Sequence, residues 1–153
     1  MIDLKGKVAV VTGSSRGIGR AVAEAFAHAG ASVVVSSRTA ETCEPVADAL
    51  TANGLSAVAI PCHIGRKDQL QTLVDETVAR WGRIDILVCN AAINPVYGSL
   101  AELSDDAFDK IMATNVKSTF QLCNMAIPAM AARREGSVIV LSSIAALRGT
   151  TTI

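Results

Sequence analysis

Short apolar runs alternate along the chain with longer segments of helical periodicity. The runs are rich in β-branched residues and predict strands at 8–11, 32–35, 57–60, 84–88 and 138–141. Continuous apolar runs of this length are typical of strands that are covered on both faces. Because parallel neighbours need long crossovers, and the intervening segments are long enough for helices, we predict five strands of one parallel sheet.

Amphipathic helices are predicted between these strands. The first has apolar residues spaced by three and four, which indicate its packed face: Ile18, Ala21, Val22, Ala25 and Phe26. The same spacing returns further along the chain at Leu70, Leu73, Val74, Val78 and Trp81. Gly30 and Gly82 follow these two helices and are expected to end them. The segment 104–134 is long enough for two more helices, and we expect Pro128 to kink or shorten the second.

The alternation of strand and helix predicts an α/β fold, a doubly wound parallel sheet in three layers, with residues 1–153 forming one domain. The composition supports a covered sheet, since half of the residues are hydrophobic and only 3% are aromatic. Fourteen basic residues balance fourteen acidic ones, which gives no electrostatic reason to expect nucleic acid or a membrane surface as a partner.

The apolar stretches, the first residues and the cysteines of the sequence bear on the cellular location of the protein. No apolar stretch approaches the roughly 20 residues of a membrane helix, and the first residues lack the pattern of a signal peptide. The four cysteines include no C-x-x-C pair, so free thiols are expected rather than a disulfide or a metal site. We therefore expect a cytoplasmic protein without a bound metal.

A glycine-rich turn follows the first predicted strand and leads directly into the first helix. It reads Thr-Gly-Ser-Ser-Arg-Gly-Ile-Gly from Thr12 to Gly19. Glycines at such a turn allow the backbone to approach a phosphate, and the free N–H groups of the helix then face the anion. No Gly-Lys-Ser or Gly-Lys-Thr closes the motif, which excludes a Walker A loop. The turn therefore predicts a nucleotide-binding site.

This turn matches the Thr-Gly-x-x-x-Gly-Ile-Gly motif, and through it the chain resembles the short-chain dehydrogenase/reductase family. Three further family motifs follow in order. Residues 89–92 resemble Asn-Asn-Ala-Gly, Asn115 matches a helix asparagine, and Ser143 matches the catalytic serine. The resemblance covers the whole chain and implies a Rossmann-like fold. Residues 62–65, 90–95 and 140–146 are similar to the branch of NADP-dependent carbonyl and retinal reductases.

The end of the second strand bears on the choice of cofactor. NAD enzymes carry an acidic residue there, which binds the ribose hydroxyls, whereas this chain has Ser37 and Arg38. Arg38, together with Arg16 in the glycine turn, can pair with a 2′-phosphate. We therefore predict NADP(H) in preference to NAD(H), although either arginine alone could be a solvated surface side chain.

The predicted cofactor site combines this strand end with the glycine turn and two further loops. The resemblance implies adenine contacts by the loop after the third strand, where His63 replaces an aspartate common in the family. A partly exposed loop histidine is the alternative for His63. Asn90 is expected to brace the strands, with the small Ala91 allowing close approach. The full set is Gly13, Ser15, Arg16, Gly17, Ile18, Gly19, Ser37, Arg38, His63, Ile64, Asn90 and Ala91.

The resemblance also implies catalytic residues. A serine orients the substrate carbonyl, and an asparagine anchors a water relay. Ser143 and Asn115 match these two roles, although a capping hydroxyl is the alternative for Ser143. The family's proton donor and its lysine, in a Tyr-x-x-x-Lys pair, have no counterpart here. The one tyrosine, Tyr97, is followed four residues later by Ala101. We therefore expect an N-terminal fragment with half of an active site, truncated after the fifth strand.

Two functions remain open. One is an NAD(P)-dependent oxidoreductase that transfers hydride to or from a small carbonyl or alcohol, whose pocket would include 94–97 and 145–149. The alternative is a catalytically inactive nucleotide-binding or oligomerisation protein derived from the same family. The helix at about 115–130 resembles a family dimer-interface helix, which implies a homo-oligomer at full length. Because strand 138–141 is predicted to be an exposed edge, we expect the 153 residues alone to self-associate.

Overall fold

A computed structural model describes residues 2–96 and 98–147, and these form five strands flanked by helices. The strands are β1 (Val8–Thr12), β2 (Ser32–Ser36), β3 (Ala57–Ala59), β4 (Ile86–Cys89) and β5 (Ser137–Val140). The α-helices are α1 (Gly17–His28), α2 (Ala40–Ala52), α3 (Lys67–Trp81), α4 (Asp105–Ile111) and α5 (Ser118–Arg133). A π-helical segment, Met112–Lys117, joins α4 to α5, and short 3₁₀ turns occur at Leu100–Glu102 and Ile144–Ala146.

The five strands form one parallel sheet in the order β3-β2-β1-β4-β5. Val10 in β1 lies in register with Val34 of β2 on one side and with Leu87 of β4 on the other. From β1 the chain adds β2 and then β3 on one side of the sheet. It then returns and adds β4 and β5 on the other side. This confirms the doubly wound fold, and the direction of winding reverses between β1 and β4.

Both faces of β1, β2 and β4 are buried, because alternate side chains of these strands enter different cores. Ala9, Val11 and their counterparts in β2 and β4 pack with α1 and α2. Val10, Leu87 and their counterparts pack with α3 and α5 on the opposite face. This arrangement explains why the inner strands are apolar at successive positions rather than at alternate ones.

The face of α1 that packs on the sheet differs from the predicted one. Small residues spaced by four, Gly19, Ala23 and Ala27, are buried, whereas Ile18 is 66% exposed. The prediction was therefore wrong about which residues lie at the centre of the interface. Small side chains allow the helix backbone to lie close to β1 and β2, and larger ones such as Phe26 pack at the margin of the interface. In α3 the spacing correctly indicated Leu70, Leu73 and Val74 as buried, whereas Val78 is 40% exposed and Trp81 is half-buried.

The segment 104–134 forms two helices as predicted, but Pro128 does not shorten the second one. The Ser104 side chain begins α4 by accepting a hydrogen bond from Ala107 N at 3.3 Å. Helix α5 continues past Pro128 to Arg133. A proline removes one helical hydrogen bond, but the buried side chains of Leu122, Ala126 and Met130 hold α5 on the sheet at either side of it.

Within residues 2–96 and 98–147, β5 is an edge strand, as predicted, and it is more exposed than the other four. It pairs with β4 on one side, and all four of its residues are exposed. Val138, Ile139 and Val140 are 37%, 43% and 55% exposed. None of the helices in residues 2–96 and 98–147 is long and apolar enough to cross a membrane.

Candidate cofactor site

The predicted site residues lie together at one edge of the sheet, where the parallel strands end. Direct backbone hydrogen bonds join the loops that follow them. Ser14 N donates to Ser36 O at 2.9 Å, which links the glycine turn to the end of β2. Cys62 N donates to Ser37 O at 2.7 Å, which joins the β3 loop to the same strand end. Ligands of open α/β sheets bind at this edge, beside the point where the winding reverses.

The three glycines of the turn have different roles. Gly13 has a φ of +67°, and a Cβ there would lie 2.9 Å from the Cα of Ala91. Gly17 has a φ of +57° and borders open space, which leaves its backbone accessible to a ligand. A Cβ on Gly19 would lie 2.4 Å from the Gly13 carbonyl oxygen, so only glycine allows the helix to lie so close to the strand. A tight turn, access for a phosphate and close packing are the requirements of a dinucleotide turn.

The N-terminus of α1 is open to an anion. No side chain caps it, and its first turn contains no acidic residue. The first backbone N–H groups of an α-helix have no partner within the helix. The helix dipole also places partial positive charge there. Ser15 is half-buried beside this end, and Arg16 and Ile18 are exposed. The residues present therefore fit a pyrophosphate.

Asn90 and Thr12 connect the glycine turn to the end of β4. The Asn90 side-chain Nδ2 donates to Thr12 O at 2.9 Å and to Gly13 O at 3.2 Å. The Thr12 hydroxyl oxygen accepts from Asn90 N at 3.0 Å and from Ala91 N at 3.1 Å, and donates to Val88 O. The expectation that Asn90 braces the strands is confirmed. Sequence reasoning missed the part played by Thr12, although its place at the end of β1 is part of the motif.

Ser14 is a second residue that sequence reasoning missed. Its side chain is fully buried, and its hydroxyl donates to Val11 O at 2.6 Å. The same oxygen accepts from Ser36 N at 2.8 Å. Ser14 stands at an undefined position of the motif, so the spacing gave no signal for it. Only the folded turn shows that its hydroxyl reaches the neighbouring strand.

Arg16, in the glycine turn, and Arg38, two residues after β2, are both exposed. Within the described residues, neither guanidinium forms an ion pair. The acidic residue nearest to Arg38 in sequence is Glu41. Hydrogen bonds from its own backbone and from Thr39 hold the pKa of Glu41 below its ordinary value. Both arginines thus remain available for an anionic ligand.

The loop after β3 contains His63 and Ile64. His63 N donates to the side-chain Oε1 of Gln69 at 2.7 Å, and His63 Nδ1 accepts from Gly65 N at 3.2 Å. These bonds fit the alternative of an exposed loop histidine that organises its own turn. Ile64 is half-buried and lies beside Thr12 and Ala91 at a small cavity. An adenine contact by either residue stays a prediction.

Asn115 lies in the π-helical segment and contacts the loop after β4. Its Oδ1 accepts from Ile93 N at 2.9 Å, and its Nδ2 donates to Ile93 O at 2.8 Å. The Thr119 hydroxyl donates to Asn115 O at 3.0 Å, and the Ser118 hydroxyl donates to Thr114 O. The Asn115 amide therefore positions the loop that contains Asn90, and its part in a water relay stays a prediction.

Ser143 is exposed after β5, on a segment joined to the β4 end by the hydrogen bond from Leu141 N to Cys89 O at 3.0 Å. Its hydroxyl accepts from Ala145 N at 3.2 Å and caps the short 3₁₀ turn, which fits the alternative of a capping hydroxyl. Its catalytic role stays a prediction. Of the expected substrate loops, Asn94 and Pro95 are exposed, and Tyr97 and residues 148–149 lie outside the described residues.

The cysteines are free thiols, and three of the four are buried. Burial, and to a lesser extent the charge of Asp68, raises the pKa of the Cys62 thiol to about 11. Burial also raises the pKa of Cys89, with the Cys123 thiol beside it contributing. Both groups are therefore protonated at neutral pH. Across 2–96 and 98–147, no three His, Cys, Asp or Glu side chains are grouped so as to hold a metal ion.

Comparison with known proteins identifies the family. The family model described as short chain dehydrogenase matches residues 7–153. The chain belongs to the short-chain dehydrogenase/reductase family. Dehydrogenase/reductase SDR family member 4 from Bos taurus is 43% identical over 143 residues, which are 94% of this chain and 51% of that protein. The mitochondrial dehydrogenase/reductase SDR family member 2 of Homo sapiens is 44% identical over 149 residues, with 95% and 53% covered.

Solved structures share the fold as well. A metagenomic short-chain oxidoreductase in complex with NADP superimposes with a TM-score of 0.90 at 34% identity, covering 97% of this chain and 67% of its own. A short-chain dehydrogenase/reductase from Mycobacterium marinum gives a TM-score of 0.91 at 35% identity, covering 97% and 60%. The chain spans about half the length of the curated relatives it matches.

Proposed function

We propose that the chain forms the cofactor-binding part of an NADP(H)-dependent oxidoreductase for small carbonyls or alcohols, of the carbonyl reductase or alcohol dehydrogenase type. One observation carries the proposal. The uncapped N-terminus of α1 lies at a dinucleotide turn flanked by Arg16 and Arg38, neither of which has an ion-pair partner among the described residues. The structural relative that superimposes on 97% of the chain is described as an NADP complex, which supports the choice of cofactor.

Different residues of the site would bind different groups of NADP(H). The N–H groups at Gly17, Ile18 and Gly19 would hold the pyrophosphate, and Arg16 and Arg38 would bind the 2′-phosphate. The bound nicotinamide supplies hydride exchange with the carbonyl carbon. Asn90 keeps the turn and the end of β4 together, so the two sides of the crevice stay fixed while the cofactor binds.

Two further residues are proposed to act on the substrate side. The Ser143 hydroxyl, exposed after β5, would donate to the oxygen of the substrate carbonyl and hold it in place. Asn115 would act through the loop it fixes at Ile93. A carbonyl reduction also needs a proton donor for the developing alkoxide.

The choice of cofactor is tested by Arg38→Asp. An acidic residue at this strand end would repel a 2′-phosphate and accept from the ribose hydroxyls instead. We expect the affinity for NADPH to fall by about tenfold or more, equivalent to about 1.4 kcal/mol, and the affinity for NADH to rise. Binding titrations with both nucleotides measure this. Arg80→Asp, near the C-terminal end of α3, is the charge-matched control. Unchanged selectivity in Arg38→Asp would contradict the proposal.

A second candidate is a nucleotide-binding protein without catalysis, and one observation favours it. Tyr97, the one tyrosine of the 153 residues, is followed four residues later by Ala101 rather than by a lysine. Assays of nicotinamide absorbance with a panel of aldehydes and ketones separate the candidates. NADPH binding without turnover by these 153 residues would favour the second candidate for the chain as given. The same assay on a protein extended by a Tyr-x-x-x-Lys segment tests the first.

Assembly and location complete the proposal. Apolar side chains spaced by four are exposed along one stripe from α4 into α5: Phe108, Met112, Val116 and Phe120. We propose that this stripe pairs with a second copy to form a homo-oligomer, which light scattering across a concentration series tests. A cytoplasmic location is proposed because the free buried thiols suit a reducing compartment, and fractionation of cells tests it.

A further inference from the structure

The buried hydroxyl of Ser14 lies in the glycine turn, and the proposed cofactor contacts do not explain why a hydroxyl is present there. Ser14 is fully buried, and it is not among the residues predicted to touch the cofactor. Its oxygen donates to Val11 O at 2.6 Å and accepts from Ser36 N at 2.8 Å. Ser36 is itself buried, at 1% exposure. One hydroxyl thus joins the glycine turn to the end of β2 across two adjacent strands.

The Ser14 hydroxyl connects the glycine turn with the end of β2, and these two segments are proposed to bind different parts of the cofactor. The glycine turn and the N-terminus of α1 would hold the pyrophosphate, whereas Arg38, two residues after Ser36, would bind the 2′-phosphate. The turn is also tied to β4 by Asn90 and Thr12. The turn is therefore held in place without the Ser14 hydroxyl. The end of β2 is held to the turn by this hydroxyl and by one backbone bond, from Ser14 N to Ser36 O at 2.9 Å.

We infer that Ser14 is a positioning residue for cofactor selectivity. It holds the end of β2, and with it Arg38, at the distance from the glycine turn that an adenosine 2′-phosphate requires. This inference rests on the proposed preference for NADP(H) and deepens it. NADH lacks the 2′-phosphate, so its binding does not require Arg38 to lie at that distance.

Loss of the hydroxyl has a defined consequence. In Ser14→Ala the buried N–H of Ser36 loses its acceptor, and such a group left unsatisfied is costly enough to favour a local shift of the strand end. The backbone bond from Ser14 N to Ser36 O, at 2.9 Å, survives the substitution. The sheet therefore stays paired while the end of β2, where Arg38 follows, moves.

The experiment measures the dissociation constants of NADPH and NADH for the 153-residue chain and takes their ratio as the selectivity. We expect Ser14→Ala to lower the preference for NADPH by about tenfold and to change the affinity for NADH by less than about threefold. Ser56→Ala is the matched control, because it removes a hydroxyl bond, from Ser56 Oγ to Ser32 Oγ at 2.9 Å, at the opposite end of β2. It should leave the ratio unchanged.

A double-mutant cycle with Arg38→Ala tests whether Ser14 acts through that arginine. In the Arg38→Ala background, Ser14→Ala should cause no further loss of selectivity. A parallel fall in both affinities, or an equal fall in the ratio with and without Arg38, would overturn the inference. If the alanine variant fails to fold, Ser14→Cys keeps a weaker acceptor and must still lower the ratio.

Failure of the proposed function is recognised separately from failure of the inference. If the unchanged chain binds NADH as well as NADPH, or if Arg38→Ala does not alter the ratio, the proposed choice of cofactor is wrong and the inference is wrong with it. If the unchanged chain prefers NADPH and Arg38→Ala removes that preference, only the Ser14 variants decide the inference.

Discussion

Strands β1 and β5 resemble each other in sequence and differ in almost everything else. β1 reads Val-Ala-Val-Val-Thr and β5 reads Ser-Val-Ile-Val. All five residues of β1 are buried, whereas all four of β5 are exposed. β1 pairs with strands on both sides, and β5 pairs with β4 alone within the described residues. An apolar run therefore specifies a strand, but it does not specify how much of that strand is covered.

The difference extends to the polar groups at the strand ends. After β1, Thr12 and Asn90 bond the glycine turn to the end of β4, and the Ser14 hydroxyl bonds it to the end of β2. After β5, the Ser143 hydroxyl bonds to Ala145 N in its own turn. The glycine turn is thus held by side-chain bonds between strands, whereas the Ser143 hydroxyl bonds within its own turn.

The largest expected effect comes from Gly19→Val, which adds a side chain where α1 packs closely against the glycine turn. Its Cβ would lie 2.4 Å from Gly13 O and 2.5 Å from the Asn90 side chain, so either the helix or the turn must move. We expect a loss of about 3 kcal/mol in the free energy of unfolding, together with loss of saturable NADPH binding. Denaturant titration and nucleotide titration measure the two effects.

Ala21→Val is the control for this substitution, because Ala21 is exposed on the same helix. It should cost only about 0.5 kcal/mol, from helix propensity. If Gly19→Val changes neither the free energy of unfolding nor NADPH binding, the glycine turn is packed less tightly than the distances indicate. The contrast between the β1 and β5 regions would then be smaller.

A matched pair of substitutions compares the two regions directly. Val88 in β4 and Ile139 in β5 lie in register, and they are 1% and 43% exposed. We expect Val88→Ala to cost about 2 kcal/mol, because it opens a cavity in a packed core. Ile139→Ala should cost less than about 1 kcal/mol, since much of its side chain already contacts water. Equal losses in denaturant titrations would show that β5 is covered in solution, for example by a second copy.

The smallest expected effect concerns Glu135, which pairs with Lys7 and Arg83 at the end of the sheet where the strands begin. Hydrogen bonds from Lys7 and Arg83 lower the pKa of Glu135 below its ordinary value of 4.5. A carboxyl whose pKa is lower in the folded state stabilises the fold above its ordinary pKa, and this contribution is lost as the pH falls through the folded value. Glu135→Gln should therefore flatten the acid side of the stability profile slightly.

Thermal melts across acidic pH values check this expectation. Glu44→Gln, at an exposed position of α2 without an ion pair among the described residues, serves as the control and should leave the profile as it was. A profile that stays equally steep in Glu135→Gln would contradict the assignment. The effect is small because the ion pairs of Glu135 are solvent-exposed.

The sequence by itself determined the order of elements, the parallel sheet and the residues that meet at its carboxyl edge. It could do so because a buried parallel strand must be apolar at successive positions, and because the ends of parallel strands lie at one edge. The Thr-Gly-x-x-x-Gly-Ile-Gly spacing located the turn, and the amide side chain of Asn90 in the segment 89–92 predicted a brace between strands.

Only the tertiary structure decided which side chains face each other. It placed Gly19, Ala23 and Ala27 rather than Ile18 against the sheet, because close packing selects small residues that periodicity does not single out. It also revealed the hydroxyl bond between Ser14 and Ser36, whose partners are 22 residues apart in sequence. The reason is physical, since local spacing fixes which elements form, whereas contacts between distant residues depend on how those elements pack.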